Sequence, residues 1–170
     1  MRDLAIPART AVVFDRALLR SFIADAVAMQ PRKVFGFFVT SRPDDRPEEY
    51  IIMRTNQRDA WRDDFATYGR YFVDHRDAGF VCSPAETWNV ERYLRDHGLR
   101  KVGVFHSHHR HPALLTSVDA DFHPSPDLWH LLLVLRNPAY PQVRVFGVEE
   151  GERIRELSVV ETSEDEEAWR

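Results

Sequence analysis

A mixed α/β domain organised around one dominant sheet is what the apolar pattern of this 170-residue chain predicts. Strand-like runs open the chain, return twice in its first third and recur four times from residue 101 onward, with three stretches of helical spacing among them. A chain of this length can bury one substantial core without disulfides or structural metal. Its composition, 44% hydrophobic and 29% charged, is that of an ordinary globular domain.

Residues 11–14 form a short strand-like run, and Asp15 is placed to cap a following helix. Leu18, Leu19, Phe22, Ile23, Ala26 and Val27 repeat at helical spacing, so 16–29 is an amphipathic helix, ended by Pro31. The near-continuous apolar run 34–40 has the signature of a strand covered on both faces. A polar, proline-containing loop at 41–47 leads to a returning strand at 50–55. Trp61, Phe65, Tyr68 and Phe72 stand at steps of four, three and four, which predicts a second helix over 58–76 with an aromatic core stripe. Ser83, Pro84 and Glu86 occupy N-cap, N1 and N3 of a third helix, a reciprocal capping box, and Gly98 stops that helix after His97. Strands follow at 101–107, 129–135, 142–148 and 154–160, the second of them almost wholly apolar and therefore central. The domain is expected over 1–160, with 161–170 an acidic solvated tail.

Charge and cysteine usage narrow the setting. A net charge of −4 and a pI near 6.1 argue against nucleic-acid phosphate as the main partner. No apolar run approaches the roughly 20 residues of a membrane helix, and residues 1–8 lack the apolar core of a signal peptide. The single cysteine, Cys82, fits a reducing cytoplasm and a small buried residue.

Six of the eight histidines lie between His106 and His130. His106 and His108 close the 101–107 strand, and strand residues two apart share a face, so both imidazoles can reach one metal ion. Thr116 follows His108 after seven residues, and Asp119 comes three further on. Two imidazoles and one carboxylate make a three-ligand site with an open fourth position, the arrangement of catalytic rather than structural zinc. His123 and His130 are expected to be structural, and His109, Arg110 and His111 to be solvated loop residues or a basic rim for a carboxylate.

The run Gly103-Val104-Phe105-His106-Ser107-His108, followed at these spacings by Thr116 and Asp119, resembles the signature of the JAMM/MPN (JAB domain) metalloproteases. The likeness extends over residues 33–39, 52–56, 80–99 and 131–135, the first being similar to that family's first apolar strand. It implies a curved sheet flanked by helices, of MPN or cytidine-deaminase-like type. It implies zinc-dependent hydrolysis of peptide or isopeptide bonds, in compact prokaryotic members at the tails of ubiquitin-like or sulfur-carrier proteins. By the same resemblance His106, His108 and Asp119 are the Zn2+ ligands, and Thr116 takes the place of the serine that positions water and stabilises the oxyanion.

The family's general-base glutamate falls at Lys33. A charged ammonium cannot accept the proton of a zinc-activated water. Glu48 and Glu49 are poor substitutes, because hairpin pairing sets position 33 opposite about Asn56 instead. Lys33 is therefore open to three readings: a non-catalytic scaffold or recognition module, a lysine whose proton affinity is lowered by the nearby cation until it serves as base, or a site adapted to a different substrate.

Overall fold

The structure, a computed structural model, describes residues 9–75, 79–149 and 153–163. Residues 164–170 lie outside these, so the acidic-tail expectation falls beyond the description.

The chain opens with β1 (Ala11–Asp15) and α1 (Arg16–Ala28). Asp15 caps α1 as its sequence position suggests, its Oδ1 accepting from the backbone N–H of Ala17 and Leu18. β2 (Phe35–Thr40) and β3 (Glu49–Ile52) form a hairpin. Next come a 3-10 turn (Arg58–Trp61), α2 (Arg62–Ala66), α3 (Arg70–Asp74) and α4 (Pro84–His97). β4 (Arg100–His108), α5 (Ser117–Asp121), β5 (Trp129–Val134), β6 (Gln142–Glu149) and β7 (Arg153–Thr162) complete the described elements.

Together the strands make a seven-stranded mixed sheet in the order β1-β7-β6-β5-β4-β2-β3. β5, the apolar strand, is its middle member. β4 and β5 run parallel, as do β1 and β7, and the other pairings are antiparallel. A parallel pair cannot be joined by a hairpin, so the β4–β5 connection must cross over the sheet. That crossover carries residues 109–128 and α5.

β2 is covered on both faces. Phe38 packs with Phe14, Phe22, Phe105 and Trp129 against α1, while Phe35 and Val39 pack with Val90 and Leu94 of α4. The aromatic rings of the first cluster meet mostly edge to face, the preferred arrangement of their quadrupoles.

Three local expectations are corrected. The 58–76 stretch is not one helix: it breaks into three short pieces around Gly69, whose φ of 119° no helix contains. Its rings still gather, Phe65 and Tyr68 packing with Phe72 and with Phe122 beyond α5. The cap of α4 is half a capping box. Ser83 Oγ accepts from Glu86 N, but the Glu86 carboxylate turns to the backbone N–H groups of Arg54 and Thr55 and to the Thr55 hydroxyl. Those donors follow β3, where the strand has ended and no ladder partner remains for them. β7 continues to Thr162, because Glu161 and Thr162 still pair with Phe14 and Asp15 of β1.

Candidate metal centre

The site is built where β4 ends. Alternation along β4 sends Phe105 into the α1-side core and His106 and His108 to the opposite face. The last pairing of β2 with β4 sets Phe35 opposite His106, and Ser107 N donates to Val34 O one step further on. The Ser107 hydroxyl accepts from Val34 N. The start of β2 is thus tied to the histidine pair.

Asp119 reaches the histidines from α5. Thr116 is the N-cap of that helix: its hydroxyl accepts from Asp119 N, while its own N–H donates to Asp119 Oδ2 at 2.8 Å. The Thr116 hydroxyl also donates to Asp119 Oδ2 at 2.8 Å. A capping box on one turn of helix therefore aims the carboxylate back at β4.

His106, His108 and Asp119 come together, their nearest ligand atoms all within 4.8 Å of one another. His106 Nε2 is 3.2 Å from Asp119 Oδ1, and His108 Nε2 is 3.7 Å from Asp119 Oδ2. The two Nε2 atoms are 2.9 Å apart. His106 is 0% exposed, His108 3% and Asp119 8%. These three residues could hold a metal ion, and among the described residues they are the single such group of three or more.

The donor chemistry fits a cation. His108 Nδ1 lies 3.0 Å from Pro112 O, and a carbonyl can only accept, so Nδ1 carries a proton and Nε2 is the atom turned toward Asp119. Burial pushes the His106 imidazole down to about 4, against the opposing pull of Asp119 and with the help of Lys33 and His108, so it is neutral at physiological pH. Burial also opposes ionisation of Asp119. The adjoining His106 and His108 rings and the hydrogen bond from Thr116 N outweigh that and hold its carboxyl well below the usual range. Two imidazole nitrogens and an ionised carboxylate turned to one point form a protein-side set suited to a divalent ion.

Lys33 lies at the rim of this site. Its Nζ is 5.1 Å from the centroid of the Phe80 ring, and that ring packs 5.3 Å from His106 and stacks on Phe35. The β2–β3 register, with Gly36 opposite Ile52, leaves Glu49 opposite Val39 at the far end of the hairpin. Glu48 is held there by Thr40 and Ser41. Neither acid approaches the histidines.

His109 turns its Nε2 to the Ser107 hydroxyl, at 3.0 Å. His111 packs its ring against Tyr71 and His108, and Arg110 is exposed. None of the three joins the trio. Cys82 is half-buried with its sulfur 3.0 Å from the Thr87 hydroxyl.

His130 is the residue that sequence reasoning undervalued. Its Nε2 lies 2.7 Å from His106 Nδ1, directly behind the metal-facing ring. His123 stands behind His130 in turn, Nδ1 to Nδ1 at 3.3 Å. The signal was a lone polar residue in the otherwise apolar run of β5, on the alternate face from Leu131 and Leu133.

No protein-family model matches the chain, and no curated protein matches it. Solved structures do. The solution structure of a protein from Desulfitobacterium hafniense superposes with a TM-score of 0.67 at 19% identity, covering 90% of this chain and 94% of the other. A second solution structure, from Salinibacter ruber, gives 0.60 at 17% identity over 89% and 92%. A JAB1/MPN domain protein from Archaeoglobus fulgidus gives 0.49 at 15% identity over 88% and 98%. The first two establish a shared fold.

Proposed function

We propose that this chain is a zinc-binding hydrolase of JAMM/MPN type, acting on peptide or isopeptide bonds at the C-terminal tails of ubiquitin-like or sulfur-carrier proteins. The observation that carries the proposal is the convergence of His106 Nε2, His108 Nε2 and the Asp119 carboxylate in one buried cluster. Their spacing along the chain is that of the JAMM/MPN motif. Zinc, when bound, supplies Lewis acidity toward a scissile carbonyl and toward water.

The chain's own residues do the rest. His106 and His108 offer imidazole nitrogens, Asp119 offers charge, and the α5 cap keeps that carboxylate in place. Thr116 donates its proton to Asp119, so in the resting site it positions a ligand. A turn of its hydroxyl toward substrate is the step in which it would serve as oxyanion donor. Lys33, over Phe80, brings a positive charge to the side of His106, where a negatively charged tail would be drawn in.

The same lysine favours a second reading, a non-catalytic MPN module used for recognition. A site without a proton acceptor beside the ion binds but does not turn over.

Metal content by mass spectrometry, followed by hydrolysis of a carrier protein carrying a cleavable C-terminal extension, tests both. One zinc per wild-type chain and none in His108→Ala is the expected result. Equal metal in the two proteins, or none in either, overturns the site. Loaded wild type that leaves the extension intact favours the recognition module.

A further inference from the structure

We propose that His130 and His123 are positioning residues, a histidine relay that fixes which nitrogen of His106 faces the metal. This rests on the metal-binding reading above, and within it the relay is argued from hydrogen-bond chemistry.

The relay starts at a carbonyl. His123 Nε2 lies 3.0 Å from Leu128 O, which can only accept, so the proton of the His123 ring sits on Nε2. Its Nδ1 is then an acceptor, and the atom facing it is His130 Nδ1. His130 therefore carries its proton on Nδ1 and offers a lone pair at Nε2. That lone pair meets His106 Nδ1 at 2.7 Å, so His106 donates there and its own lone pair lies on Nε2. Nε2 is the atom beside Asp119 and His108. The order closes when a cation takes up the Nε2 lone pair, which otherwise faces Asp119 Oδ1 at 3.2 Å with no proton between them.

The reverse order fails at its far end. If His106 carried its proton on Nε2, His130 would have to donate from Nε2 and accept at Nδ1. His123 would then need a proton on both nitrogens, a cation in a half-buried ring. His106 and His130 are both fully buried, where an added charge is costly.

Metal-bound histidines generally donate their other N–H to a fixed acceptor, and loss of that acceptor weakens the metal by about 10- to 100-fold. Here the acceptor is an imidazole, whose orientation is set by a second imidazole and a backbone carbonyl rather than by a carboxylate. His108 has the simpler arrangement, with Pro112 O as its acceptor.

Two measurements on the intact chain test the relay. Long-range 1H–15N spectra of the zinc-loaded protein should show His106 and His130 protonated at Nδ1 and His123 at Nε2. A His130 ring protonated at Nε2 overturns the proposal. Zinc competition with a chromophoric chelator should then show His130→Leu binding about 10- to 100-fold more weakly than wild type. His130→Gln, whose side-chain oxygen can accept from His106, should recover much of the loss. His123→Phe should fall between wild type and His130→Leu.

Thermal unfolding of the metal-free variants separates positioning from packing: His130→Leu should unfold no earlier than wild type while losing zinc affinity. Unchanged zinc affinity in a folded His130→Leu or His130→Gln overturns the relay and leaves the metal site standing. A wild type that takes up no zinc overturns the proposed function and the relay with it, whereas zinc uptake with His130 protonated at Nε2 overturns the relay alone.

Discussion

On the proposed reading Lys33 decides what kind of protein this is, because it would stand where a proton acceptor is needed. Its ammonium rests over Phe80 and acts on His106 through space. Two unit charges 4 Å apart interact by about 4 kcal/mol at an effective dielectric of about 20, so exchanging repulsion for attraction beside a divalent ion is a large change. Lys33→Glu should therefore tighten zinc at least tenfold and give the chain hydrolytic activity on a carrier-protein tail. If wild type is already active and Lys33→Met abolishes this, the lysine is itself the base. Unaltered zinc affinity and activity in all three proteins would remove Lys33 from the site. Thr116 is a second residue whose role the structure sharpens. Its hydroxyl caps α5 and bonds the ligand carboxylate. Thr116→Val should cost about 1 kcal/mol of stability as a lost cap and also weaken zinc, whereas Thr116→Ser should do neither. Unchanged zinc affinity in Thr116→Val would show that Asp119 is held without it. The clustering of His106, His108 and Asp119 was legible in the sequence, because strand alternation and a short spacing are local facts. His130 and His123 were not, since their link to His106 depends on how β5 lies beside β4, which no local pattern encodes.

At the scale of elements, strands and capped helices were read closely and the aromatic stretch was not. Asp15, Ser83 and Gly98 act through bonds within a few residues, so their roles survive folding, Gly98 taking its left-handed φ of 64° at the end of α4. The 58–76 stretch carries helical periodicity, yet Gly69 breaks it and the rings find Phe122 instead, a partner about fifty residues away. Tertiary contact overrides period there. Close approach of elements is equally invisible in sequence. A Cβ on Gly103 of β4 would stand 2.4 Å from the Trp129 ring of β5, which is wedged between Phe14 and Phe38. Gly103→Ala should destabilise by about 1–3 kcal/mol or more through overpacking. Chemical denaturation measures it, and a neutral result would show that the β4–β5 seam is looser than this. The tie between α1 and β3 has a pH signature. Tyr50 donates to Asp25 at 2.6 Å, and burial, that bond and the Asp25 charge push its phenol up to about 12. The folded state thus favours the protonated phenol. Its contribution is complete below about pH 10, the ordinary phenol value, and is lost as pH rises toward 12. Tyr50→Phe should flatten the stability profile across that window; an unchanged slope would show that the bond is not coupled to folding.

For the whole molecule, the His106–His108–Asp119 cluster joins parts of the chain that the sheet alone does not hold together. His106 and His108 belong to β4, whereas Asp119 sits on α5, a helix of five residues in the crossover to β5. An isolated helix of that length has no stability of its own. It is held by Val118 and Ala120 in the core and by the polar cluster around Asp119. A divalent ion shared by the three ligands would clamp the crossover to the sheet, and the unfolded chain cannot present those ligands together. Binding must then appear as folding stability. With zinc at a hundred times its dissociation constant the gain is about 2.7 kcal/mol. For a domain of this size each kcal/mol moves the midpoint by about 2–4 °C, so zinc should raise Tm by about 5–11 °C and a chelator should reverse it. The shift should vanish in His108→Ala and persist in Gly103→Ala, whose lower starting stability has nothing to do with the ligands. Equal midpoints with zinc and with chelator would mean that the cluster does not take the ion. The same shift in His108→Ala would mean that zinc binds elsewhere on the surface, and either result would separate the fold from the chemistry assigned to it.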